Sequence, residues 1–79
     1  MEQEQQIQTF EEGSKWFYGN MEKLRDMGYT EKFVAIKDSK AIASDKNIDI
    51  VIRKLEKQGE DPSFIFIEFV HPEGYVLLL

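Results

Sequence analysis

The chain has 79 residues, of which 42% are hydrophobic, including one Trp, three Tyr and six Phe; that suffices for one small core and argues against global disorder. Fifteen Asp and Glu against ten Lys and Arg give a net charge of −5, which works against binding phosphate backbones through counterion release. The absence of cysteine excludes disulfides and thiolate metal sites, and no apolar run approaches the roughly 20 residues that span a bilayer.

Residues 1–8 form a Gln/Glu tract with a single apolar side chain, Ile7, which cannot repay ordering entropy and is expected to be a disordered polar arm. Residues 9–79 are expected to form a single domain. A helix should begin at Thr9, where Thr9-Phe10-Glu11-Glu12 fits a capping box, or at Ser14, because Gly13 weakens a helix interior. Phe17, Met21 and Leu24 keep i, i+4, i+7 spacing and form its apolar stripe, and Gly28 supplies the stop. Trp16 and Tyr18 flank the stripe. At about 100° per residue the three consecutive aromatics cannot all face one core, so Trp16 or Tyr18 is placed at a rim.

Two short strands, Phe33–Lys37 and Lys40–Ser44, should pair as a hairpin across the polar break Lys37-Asp38-Ser39-Lys40. A second helix follows with Asn47 as N-cap and Asp49 in its first turn. Ile48, Val51, Ile52 and Leu55 form its apolar stripe, Arg53, Lys54 and Lys57 its wet side, and Gly59 with Pro62 its end.

The strongest strand signal runs from Phe64 to Val70. Ile65, Ile67 and Phe69 share one face; Phe64, Phe66, Glu68 and Val70 share the other, so both faces need cover. Two helices could each cover one face. If both lie on the Ile65 side, Phe64 and Phe66 are left as an exposed apolar patch of the kind that marks a partner site. After the turn His71-Pro72-Glu73-Gly74, residues Tyr75-Val76-Leu77-Leu78-Leu79 read as a further strand, hairpinned to Phe64–Val70 or added to another protomer. The order gives an α+β fold: an N-terminal helix followed by a ββαβ(β) small mixed sheet.

Candidate chemistry is sparse. His71 is the single histidine, so no multi-histidine zinc site can form within one chain. Glu68, His71 and Glu73 are close in sequence, but strand alternation turns Glu68 away, and His71 reads as a solvated turn residue. Ser14, Ser39, Ser44 and Ser63 sit at caps or turns without a nucleophile elbow, and the five glycines are scattered rather than gathered in a phosphate loop. No catalytic residue, metal ligand or cofactor site is assigned.

From Trp16 onward, the run Tyr29-Thr30-Glu31-Lys32-Phe33-Val34-Ala35-Ile36-Lys37-Asp38-Ser39-Lys40-Ala41-Ile42-Ala43-Ser44 resembles a family of small archaeal and bacterial proteins known only as a domain of unknown function. Its pattern is a Trp-bearing helix, then Tyr-x-Gly-Lys-Trp-Val-Ala-(Val/Ile)-x-Asp-Gly-Lys-Val-(Ile/Val)-Ala-(Ser/His). A short helix, a Gly-x-Asp-Pro-Ser-like break and a strand follow, matched here by Gly59-Glu60-Asp61-Pro62-Ser63 and Glu68-Phe69-Val70. Glu31 and Ser39 depart from the pattern where the family has Gly. The resemblance covers about Ser14 to Val70 and implies the leading helix and ββαβ order; it offers no activity to carry over.

The resulting expectation is a non-catalytic cytoplasmic protein–protein interaction module. It would be a small acidic regulator that binds a basic partner, as an antitoxin does, and self-associates as a homodimer through apolar sheet or edge-strand residues. The expected interface residues are Phe64, Phe66, Trp16, Tyr18, Tyr75, Leu77 and Leu79. The alternative is a small-ligand or nucleic-acid binder using Arg53, Lys54, Lys57 and Trp16, with nucleic acid disfavoured by the net charge.

Overall fold

The computed structural model of the chain describes residues 2–72, with side chains from residue 10 onward. Helix α1 (Glu2–Gly19) is followed by α2 (Met21–Asp26), strands β1 (Phe33–Lys37) and β2 (Lys40–Asp45), helix α3 (Ile48–Lys57), a 3-10 turn (Pro62–Phe64) and strand β3 (Phe66–Phe69). The fold is α+β. The three strands lie in the order β2-β1-β3, and both pairings are antiparallel, where a mixed sheet was expected. Since β2 and β3 each oppose β1, they run parallel to one another, and α3 is the crossover between them.

The helices take opposite faces. Val34, Ile36, Phe66 and Val70 pack with Phe17 and Leu24, with Trp16, Met21 and Tyr29 around them; Ala35 and Ile65 pack with Val51 and Leu55, with Phe33, Ile42 and Ile67 around them. Alternation along β1 therefore feeds two cores, one under α1 and α2 and one under α3.

Local signals explain most boundaries. Gly28 at φ +89° and Gly59 at φ +81° end α2 and α3 in paired capping bonds. The N–H groups of Gly28 and Tyr29 donate to the carbonyls of Arg25 and Leu24, and those of Gly59 and Glu60 donate to Glu56 and Leu55, the Schellman arrangement. Asn47 caps α3, its Oδ1 accepting from Asp49 N–H at 2.9 Å. Asp38 and Ser39 both have positive φ, making the two-residue hairpin loop a type I′ turn.

Three features differ from the sequence expectation. Helix α1 begins at Glu2, upstream of Thr9 and Ser14, and passes through Gly13. A Cβ there would lie 2.9 Å from Phe66 Cβ, so Gly13 serves helix–sheet contact rather than helix termination. The single long helix is instead two, broken at Asn20, whose Nδ2 donates to the Trp16 carbonyl at 2.8 Å. Finally, β3 starts at Phe66. Asp61 Oδ1 accepts from Ser63 N–H at 3.0 Å with Pro62 next to it, and this cap nucleates a 3-10 turn that takes Phe64 out of the strand.

Candidate protein-interaction site

Placing Phe64 in a turn removes the apolar face it was expected to share with Phe66. Phe66 is 6% exposed under α1, its ring in edge contact with Phe10, Phe17 and Tyr18 at 5.3, 5.5 and 6.3 Å. It is a core residue, inaccessible to a partner, whereas Phe64 is 40% exposed in the 3-10 turn. The sheet is covered on both sides within one protomer. The fault in the expectation was starting the strand at Phe64, which belongs to the 3-10 turn that the Asp61 cap opens.

Of the other expected interface residues, Trp16 packs half-buried against the α1-side core, and Tyr18 is 58% exposed. Tyr75, Leu77 and Leu79, for which a terminal strand was expected, lie outside the described residues. Trp16 and the basic residues Arg53, Lys54 and Lys57 stand on helices that cover opposite faces, so the sheet lies between them and they do not form one site. Lys54 is also engaged: its Nζ donates to the Ser44 carbonyl at 2.8 Å.

That contact closes one side of the sheet. The β1–β2 register shifts between Ala35 and Ile36, leaving Ile42 as the extra residue of a bulge. The carbonyls of Ile42 and Ser44, directed away from β1, accept from Gln58 Nε2 and Lys54 Nζ of α3, both at 2.8 Å. Side chains of the crossover helix thus occupy acceptors that an added strand would need.

At the other side of the sheet, β3 has no paired strand among the described residues. Val70 N–H donates to the Lys32 carbonyl at 2.9 Å, which sets the alternation: Phe66, Glu68 and Val70 direct their backbone groups to β1, while Ile67 and Phe69 direct theirs outward. The Phe69 N–H is met by the carboxylate of its own neighbour, Glu68 Oε1, at 2.9 Å. The other carboxylate oxygen accepts from the Tyr18 hydroxyl at 3.3 Å. Partial desolvation, then the negative charge of Glu68 and the hydrogen bond to it, raise the Tyr18 phenol above its ordinary pKa.

Aromatic surface flanks this edge. On the α1 side Phe10 and Tyr18 are exposed over Phe66. On the α3 side Phe33, Phe69 and His71 form a row of edge contacts at 5.1 Å each, and Ile67 lies half-buried beside them. The arrangement suits backbone pairing with apolar flanking contacts. Sequence reading singled out the aromatic Tyr18 but weighed Glu68 only as a metal ligand and set it aside; the signal for its place at the edge was a lone acid in an otherwise apolar strand.

No helix among the described residues is long and apolar enough to cross a membrane. No group of three metal-ligating side chains gathers among the described residues. No curated protein and no solved structure matches the chain. Residues 28–70, from the glycine that ends α2 to the last core residue after β3, match DUF5678, and the chain belongs to this family of unknown function.

Proposed function

We propose that this protein is a non-catalytic protein–protein interaction module, a small acidic regulator that receives a strand from a basic partner at the outer edge of β3. The observation that carries the reading is the outward-facing backbone of Ile67 and Phe69, set between exposed Phe10 and Tyr18 on one side and Phe33 and Phe69 on the other. Main-chain pairing supplies affinity in such contacts, and the flanking side chains supply selection. The charge of −5 favours a basic partner through long-range attraction. A cysteine-free composition suits a reducing cytoplasm. Self-association belongs to this reading through the same edge only in a register that does not set Glu68 against Glu68, since Phe66 is held in the core.

Photo-crosslinking from the native cell tests it. A photoreactive phenylalanine at Tyr18 should capture a polypeptide, and the same group at Lys57, on the far face, should not. Light scattering of the purified chain then distinguishes a second copy from a different protein. Equal capture from both positions, or none from Tyr18, overturns the reading.

A further inference from the structure

Resting on that reading, we infer that Glu68 selects the partner: the β3 edge takes an antiparallel strand with Lys or Arg opposite Glu68 and apolar residues on either side of it.

Glu68 is half-buried on the face it shares with Phe66 and Val70, both core residues. Its contacts are the Phe69 N–H and the Tyr18 hydroxyl, and no lysine or arginine among the described residues pairs with it; the ion pair there is Lys37–Glu60, across the sheet. The carboxylate therefore holds the Phe69 N–H, one of the two outward donors that the carbonyls of an incoming strand require. A strand that pairs with Phe69 must displace it and leave a negative charge beside a newly covered apolar surface. Such a charge needs a cation or another set of donors.

The position directly opposite Glu68 on an added strand points to the same face, within reach of the displaced carboxylate. Lysine or arginine there restores charge-assisted hydrogen bonding. The neighbouring two positions point to the α3 side, over Ile67 and Phe69, where apolar side chains fit. A second copy meets an obstacle in the corresponding register. Pairing Ile67 with the other copy's Phe69 sets Glu68 against Glu68, and like charges directly opposite are destabilising. Glu68 thus discriminates against this self-pairing and in favour of a basic strand.

The test uses the full chain and two blocked peptides, Thr-Val-Lys-Val-Thr and Thr-Val-Glu-Val-Thr, followed by amide proton–nitrogen spectra. The lysine peptide should bind at least about fivefold more tightly, as expected for replacing a like-charge with an opposite-charge cross-strand pair. The Ile67 and Phe69 amide signals should move most. Glu68→Lys should reverse the order of the two peptides, and Glu68→Gln should abolish the preference without reversing it. Equal affinities on the wild-type chain, or no reversal in Glu68→Lys, overturn the charge selection while the edge reading stands. No movement of Ile67 and Phe69 with either peptide overturns both.

Discussion

At the β2 edge the outward carbonyls of Ile42 and Ser44 are met by side chains of another element, Gln58 and Lys54 from α3. At the β3 edge the outward Phe69 N–H is met by the carboxylate of the adjacent residue, Glu68. The first closure depends on side chains of a helix packed on the sheet, Lys54 of α3 and its C-cap Gln58. The second depends on side-chain rotation and can be exchanged for a backbone acceptor while the fold stays intact. One edge is held by a separate element and the other by its own strand. That difference is why the proposed partner strand is placed at β3 rather than at β2.

The sharpest way to separate the two is through the anchors of β3. Phe66→Ala should lower stability by about 3–5 kcal/mol, because the ring holds the strand under α1. Phe64→Ala should cost under about 1 kcal/mol, being in a half-open turn. Paired urea titrations check this; equal costs would return Phe64 and Phe66 to one strand face. Gly13→Ala should destabilise by about 1–3 kcal/mol despite alanine's better helix propensity, because the new methyl meets Phe66 Cβ. A thermal midpoint at or above wild type would show that α1 does not press on β3 as described.

The edges themselves come next. Lys54→Met and Gln58→Met should each cost about 1 kcal/mol or less through the lost bond to a β2 carbonyl. Glu68→Ala should leave the denaturation midpoint nearly unchanged yet speed hydrogen exchange at the Phe69 amide. If Glu68→Ala instead destabilises more than the α3 variants, the contrast between the edges fails.

The smallest effect is alkaline. Tyr18 has a pKa raised in the folded state, so its stabilising contribution is complete below the ordinary phenol pKa and is lost as pH climbs through the folded value. Lys37, raised chiefly by its bond to Glu60, loses its contribution in the same direction. Tyr18→Phe should therefore flatten part of the alkaline limb and leave the Lys37 share. An unchanged limb in that variant would show that Tyr18 is not coupled to the Glu68 carboxylate.

Much of the scaffold was legible because its signals are local. Asn47 and Gly59 bound α3, and the polar break at Asp38-Ser39 marked the hairpin. The backbone also gives Glu31 and Ser39, where the sequence reading expected glycine, a physical meaning: their φ of 62° and 58° lie in the left-handed region that glycine enters without strain. Gly13 misled because helix propensity records only the cost of glycine within its own helix. Its benefit lies some fifty residues away, at Phe66.

What the amino-acid order determined by itself was the order of hairpin, helix and strand from β1 to β3, the caps at Gly28, Asn47 and Gly59, and the alternating apolar residues of β1 and β3, since each depends on neighbours within a few positions. Which helix covers which face, how β2 is sealed, and that Glu68 holds the Phe69 amide were decided only in three dimensions. The first two follow from contacts between segments far apart in the chain, where the crossover of α3 and the approach of α1 at Gly13 set the distances; the third joins neighbours in sequence, but depends on pairing with β1 turning the Phe69 N–H outward.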